Sequence, residues 1–387
     1  MRRINQVLRW LLICTVLGVW VSGCAVGQTD TAPPTSTPDA ATSPAITPSP
    51  ADTAATPAVV TPSPAGTAFP ALLVIDIEQR ALIEQRSGQA PQRLADITEG
   101  GQILDGTTIA DVVVVLHEQG LQRIRLADGD TRFWTFDQIA LYGALTRAAD
   151  NAVIYEAKVD DPQAEFGAGT AIGQYRAGDD TLNTILTLAR NVRVLHVSAD
   201  QQNLFLLPVG QDPAFGTLLV VDSSNGQIRQ ERAIEGELFA AISPDGRFLA
   251  TTGRRAASTG APEGWVLLLY DVSAPPADPR VITLPQAPSH AWGLSWSPDS
   301  RALYFLLRPG DPYDDPATSL GVWRLDVASG AVEQVTASAP VEAILRTDGQ
   351  WLTIQHMGEN RATLVNLATS TAEGVDLPEQ AIIVGWR

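Results

Sequence analysis

An aspartate-centred turn followed by a run of β-forming residues recurs within residues 71–387 of the chain. It occurs at Asp150 (AADNAVIYEA), Asp200 (SADQQNLFLL), Asp245 (SPDGRFLATT), Asp299 (SPDSRALYFL) and Asp348 (RTDGQWLTIQ), at intervals of 50, 45, 54 and 49 residues. A unit this short buries no core of its own, so a recurrence at 40–55 residues commits the chain to stacking copies of one small structure. Asp105-Gly106, 45 residues before Asp150, reads as a degenerate sixth copy leading into Val112-Val113-Val114-Val115.

Each turn-and-strand is followed by a second β-run and a tight turn. Examples are Leu218-Leu219-Val220-Val221-Asp222 before Ser224-Asn225-Gly226, Val322-Trp323-Arg324-Leu325-Asp326 before Ser329-Gly330, and Gln122-Arg123-Ile124-Arg125-Leu126 before Asp128-Gly129. A more polar strand such as Val332-Glu333-Gln334-Val335-Thr336 closes the unit. Asn-Gly, Asp-Gly and Ser-Gly supply the positive φ that hairpins need, so each unit reads as a four-stranded antiparallel meander, the blade of a β-propeller. Complete units span 103–137, 139–189, 191–235, 238–285, 291–337 and 341–378. Three strands remain at the front (Leu72–Ile75, Ala81–Glu84, Gln92–Leu94) and one at the end (Ala381–Trp386). Joined, they make a seventh blade whose strand exchange removes free sheet edges. The expected fold is therefore an all-β propeller over residues 70–387 with seven four-stranded blades closed by the C-terminal strand; six blades follow if 71–137 forms one irregular unit.

The segments Ile242-Ser243-Pro244-Asp245-Gly246-Arg247-Phe248-Leu249-Ala250 and Leu294-Ser295-Trp296-Ser297-Pro298-Asp299-Ser300-Arg301 resemble the WD40-like PD40 repeats of TolB-type propellers. Elsewhere the pattern departs: Pro-Asp is missing at Ala149-Asp150, Ala199-Asp200 and Thr347-Asp348, and the eukaryotic Trp-Asp signature is absent. The resemblance implies the propeller fold and contacts with other proteins, without naming a partner.

Ahead of the repeats stand Arg2, Arg3 and Arg9, an apolar run from Trp10 to Val21, and Val21-Ser22-Gly23-Cys24. This is the layout of a signal peptide, and the last four residues resemble the bacterial lipobox. That resemblance implies cleavage between Gly23 and Cys24, acylation of the Cys24 thiol, and membrane anchoring by two or three acyl chains where one alone holds marginally. A permanent transmembrane helix is the alternative, but the uncharged stretch to Val26 falls short of the roughly 20 residues a span needs. From Gln28 to Ala68 the chain is almost entirely Thr, Ser, Pro, Ala and Asp, with nine prolines and no basic or aromatic residue. Such a composition buries no core, and residues 24–69 read as a disordered linker with a mean reach of roughly 35 Å. The expected location is thus a cell or outer membrane, lipid-anchored, on the extracytoplasmic side.

Once residues 1–23 are removed, 23 basic residues face 43 acidic ones, a net charge of −20 with His neutral. Nucleic acid is not an expected partner. Cys14 leaves with the signal and Cys24 is consumed by lipid, so no disulfide or thiolate metal site is expected. His117, His196, His290 and His356 fall in four different units without metal-ligand spacing. No nucleophile elbow occurs, and Gly167-Ala168-Gly169 with Gly173 has the wrong spacing for a dinucleotide fingerprint; it reads as a loop between strands. No catalytic residue, metal or cofactor is assigned.

Candidate binding residues are His290 and Trp292, at the start of an innermost strand where propellers build a rim of their funnel, and Asp311, Tyr313 and Asp314 in the DPYDDPATS insertion. An aromatic at such a rim can stack on a sugar or anchor a peptide, although burial of Trp292 is the commoner outcome. The acidic insertion reads as a solvated loop, with weak calcium binding as the sharper alternative. Trp296, Trp323 and Trp351 read as blade-to-blade packing, and the repeated aspartates as turn caps. Together these features point to a monomeric, non-catalytic binding or scaffolding module for an envelope protein, peptide or glycan. The alternatives are an accessory subunit of an envelope assembly or export machine and a funnel-site glycosidase or lyase.

Overall fold

The computed structural model describes residues 70–387 apart from 87, 137–139, 149–150, 161–167, 199, 209–215, 236–238, 256–263, 276, 287, 312–317 and 338. Gly23, Cys24, the linker, Tyr313 and Asp314 lie outside the described residues.

Those residues form seven four-stranded antiparallel sheets. Blade 1 joins β1 (Leu72–Asp76), β2 (Ala81–Gln85) and β3 (Gln92–Asp96) to β28 (Ala381–Trp386) in the order β28-β1-β2-β3. The other blades are consecutive in sequence. Blade 2 is β4–β7 (Ile103–Ile109, Val112–His117, Gly120–Arg125, Thr131–Thr135), and blade 3 is β8–β11 (Ala140–Ala148, Ala152–Asp160, Ala168–Arg176, Thr181–Leu188). Blade 4 is β12–β15 (Val192–Val197, Asn203–Pro208, Gly216–Asp222, Ile228–Ile234) and blade 5 is β16–β19 (Ala240–Ile242, Phe248–Arg255, Gly264–Asp271, Arg280–Thr283). Blade 6 is β20–β23 (Ser289–Trp296, Ala302–Pro309, Val322–Asp326, Val332–Thr336) and blade 7 is β24–β27 (Ala343–Thr347, Trp351–His356, Arg361–Asn366, Ala372–Asp376). The seven-blade count holds. The six-blade alternative fails because 71–137 is divided between blade 1 and a complete blade 2.

Stacking of blades face to face buries a middle strand on both sides, which is why these strands read as continuous apolar runs. In β1, Leu72 and Val74 pack toward blade 7 while Leu73 and Ile75 pack toward blade 2. In β5, Val112, Val114 and Leu116 face blade 3 while Val113 and Val115 face blade 1. Seven apolar clusters, each shared by two neighbouring blades, run round the ring and return to blade 1. Trp296, Trp323 and Trp351 are buried in them, as their strand positions imply.

The recurring aspartate caps the turn between the first and second strands. Asp299 Oδ1 accepts the Ser297 hydroxyl at 2.6 Å and the Arg301 N–H at 3.1 Å, while Ser297 Oγ accepts the Ala302 N–H at 2.9 Å. The same circuit links Ser198, Asp200, Gln202 and Asn203, and again Ser243, Asp245, Arg247 and Phe248. At the blade 7 turn Arg346 replaces the serine, and Asp348 Oδ1 takes two N–H groups, from Gln350 and Trp351. Hydrogen bonds of this kind favour the ionised carboxylate, and they hold Asp200 and Asp299 below the usual range.

Two expectations are corrected. Asp105-Gly106 is not a turn but lies within β4; the blade 2 turn is Ala110-Asp111, with Ala110 at φ 49°. Gly106 is required by packing, since a Cβ there would lie 2.6 Å from both Ile75 Cδ1 and Val384 Cγ1 of blade 1. Gly169 and Gly173 likewise belong to β10 rather than a loop. The Tyr155 ring, stacked on Phe136 at 4.5 Å, occupies the space that a Cβ on Gly173 would need.

Polar side chains on second strands tie blades to the next innermost strand. The Val194 N–H donates to Glu156 Oε1 at 2.6 Å, and Thr252 Oγ1 donates to the Ala291 carbonyl at 3.1 Å. Gln355 bridges the Ala381 carbonyl and the Ile383 N–H. Glu156 is 2 % exposed, and burial pushes its carboxyl up to about 7 against the opposing pull of the Val194 N–H and Arg193. The native state therefore holds a proton that the unfolded chain, at 4.5, has released. The associated stability is complete below pH 4.5 and is lost as pH rises through 7. Glu156→Gln keeps an acceptor for Val194 without the ionisation. Its melting temperature should gain on that of the wild type between pH 5 and 8, by a stability difference of up to about 3 kcal/mol in denaturant titrations.

Candidate functional site

The meander fixes two faces. Every innermost strand starts at one face, here called upper, and ends at the lower face where the capped aspartate turns lie. The chain enters β1 at the lower face, and β28 ends there.

At the upper face of blades 5–7 the structure gathers Phe239, Trp265, His290, Trp292, Arg308 and Asp311. His290 and Trp292 are on β20, Arg308 is near the upper end of β21, and Asp311 follows that strand. His290 is fully buried, with Nδ1 3.1 Å from the Gly310 carbonyl. It fixes the turn that presents Asp311. Trp292 is half-buried, and Phe239 meets it edge-on at 4.5 Å. The Arg308 guanidinium lies 4.4 Å over the Trp292 ring, with Nη1 3.9 Å from Glu342 Oε1. An arginine 3 % exposed is tolerated there because the ring face and a carboxylate both favour its charge. Trp265 donates its indole N–H to Asp311 Oδ2 at 3.4 Å and lies 6.3 Å from His290. Three of the five sequence candidates, His290, Trp292 and Asp311, thus converge. Phe239, Trp265 and Arg308 were not anticipated; the one available signal was a lone arginine directly after the apolar run Ala302–Leu307.

A second constellation lines the channel. Arg346 on β24 of blade 7 reaches past blade 1 to Asp105 on β4 of blade 2, with Nη2 3.4 Å from Oδ1. Asp105 also accepts the N–H groups of Gly106 at 2.8 Å and Leu145 at 2.9 Å. Arg147 on β8 donates through Nε to Thr107 Oγ1 at 3.0 Å and through Nη2 to the oxygens of Thr108. Protein surroundings and the nearby Arg346 charge lower the pKa of Arg147. With both oxygens occupied, Asp105 serves as a strut across the channel.

The remaining histidines are structural. Burial pulls His117 and His196 down to about 4, while His356 lies between Glu359 and Thr363. Among the described residues no three His, Cys, Asp or Glu side chains gather in a way that could hold a metal ion.

No family model matches the sequence, and no curated protein matches it. Among solved structures the chain is similar to a putative 6-phosphogluconolactonase from Bacteroides uniformis (13 % identity, TM-score 0.53), covering 82 % of this chain and 97 % of that one. It is similar to the periplasmic gluconolactonase PpgL of Pseudomonas aeruginosa (14 % identity, TM-score 0.51), covering 83 % and 100 %. TolB from Acinetobacter baumannii aligns over 73 % of this chain and 64 % of that one at 15 % identity and TM-score 0.46. At these identities the likenesses show the propeller fold alone.

The Asp105–Arg346 pair generates a test. Asp105→Asn leaves Arg346 without its counter-charge, and Arg346→Gln leaves the carboxylate without its cation. Each single variant should cost about 1–3 kcal/mol. The double variant should cost less than the sum of the two, with a coupling of about 1 kcal/mol or more measured by denaturant unfolding.

Proposed function

We propose that this chain is a lipid-anchored extracytoplasmic propeller that binds or scaffolds a protein, peptide or glycan of the cell envelope, docking it on the upper face of blades 5–7. The observation that carries this reading is the opposition of the two faces. The chain enters β1 at the lower face, and the upper face lies at the opposite ends of the strands. That face holds the cluster of Trp265, Trp292 and Arg308, residue types that dominate the energetics of protein interfaces. Its connections between second and third strands range from two residues in blade 2 to twelve in blade 6, which is the kind of surface on which recognition is built.

Two measurements test this. Cys24→Ser should release a folded protein from the membrane fraction; retention of an uncleaved, detergent-dependent protein would instead establish a transmembrane anchor. Affinity capture from native envelopes should recover a partner whose binding falls about tenfold or more in Trp265→Ala/Trp292→Ala. Equal recovery by wild type and double variant would rule out the upper-face site.

A further inference from the structure

From the lower half of the channel we infer a second site, on the face opposite the proposed docking surface, that binds a small organic anion carrying a carboxylate or phosphate beside an apolar or ring portion. A cleft of about 400 Å³ opens where blades 1, 2 and 3 meet, and Thr108, Arg147, Ala148, Asn151 and Trp386 are among its walls. Arg147 is its cation. Nε and Nη2 are committed to Thr107 and Thr108, which fixes the plane of the guanidinium, while Nη1 makes no hydrogen bond to any of the described residues. A guanidinium held in this way is pre-oriented to grip an oxyanion.

The local charge supports the assignment. The nearby charge of Arg346 disfavours that of Arg147, and the carboxylate between their strands, Asp105, is in contact with Arg346 alone of the two. Among the described residues Arg147 is the one charged side chain that lines the cleft, a positive spot in a domain that is otherwise strongly acidic. An anion placed at Arg147 relieves that repulsion. The walls of a channel also concentrate the field, which strengthens the attraction relative to an open surface. Trp386 adds an indole ring to the same cleft, a surface that a bare inorganic ion does not use and a ring or apolar skeleton does. The cleft volume falls within the range of small-molecule sites.

The test uses the full chain in neutral detergent, titrated calorimetrically with inorganic phosphate and, separately, with benzoate, at an ionic strength held constant with sodium chloride. Saturable binding of at least one of the two is expected, falling about tenfold or more in Arg147→Gln. Arg147→Lys retains the charge without the fixed planar donor and should bind several-fold more weakly than wild type. Trp386→Leu should weaken benzoate and spare phosphate. Trp292→Ala, on the opposite face, should leave both unchanged, so this site and the upper-face docking site stand or fall separately. The inference is overturned if neither anion binds saturably, or if Arg147→Gln and Arg147→Lys, with circular dichroism matching wild type, bind as wild type does.

Discussion

Everything in this ring depends on the pairing of β28 with β1. The strand that ends the chain becomes the innermost strand of the first blade, with Leu72 opposite Trp386 and Asp76 opposite Ala381. Without it, β1 would expose an unpaired edge to the channel, and the apolar faces of blades 2 and 7 that pack on Ile383 and Val384 would face water. Closure is also the most non-local contact in the fold, so its loop entropy is met only after other blades have stacked. Neighbouring blades accordingly hold the strand from both sides. Gln355 of blade 7 bonds the Ala381 carbonyl and the Ile383 N–H, and Thr108 of blade 2 donates to the Val384 carbonyl. Over the top of β28, Arg346 and Asp105 join blade 7 directly to blade 2.

This dependence explains which parts of the fold were legible in the sequence. The capped turn at Asp299 is local, built from Ser297, Asp299, Arg301 and Ala302, so its residue types recur wherever the turn does. Counting those turns and the leftover strands at each end gave seven blades. Asp105-Gly106 misled because the same two residue types answer a tertiary requirement there: a small residue where blade 1 presses on β4, and a carboxylate for an arginine more than 200 residues away. Gly173 misled in the same way, being small for the sake of the Tyr155 ring. Nothing local distinguishes a glycine that turns the chain from one that makes room for a neighbour.

The candidate sites divide along the same line. His290, Trp292 and Asp311 could be singled out because aromatics at the start of an innermost strand and an acidic insertion are visible in one stretch of sequence. Their partners were not: Phe239 and Trp265 come from the preceding blade, and Arg308 reaches Trp292 through strand register. The channel arginines were hidden more thoroughly, because a net charge of −17 is an average over the chain and says nothing of where a few cations converge.

The two faces of the disc therefore carry different constraints. On the lower face, turns such as Ser198–Asn203, Ser243–Phe248 and Ser297–Ala302 are each closed by the same serine–aspartate hydrogen bonds. An insertion there would break a circuit that satisfies buried backbone groups. The upper-face connections between second and third strands vary in length from two residues in blade 2 to twelve in blade 6. A ring whose turns are pinned on one face and vary in length on the other can change its upper surface without altering how it closes below. That separation puts the proposed docking surface and the cleft beside Arg147 on opposite faces of the ring.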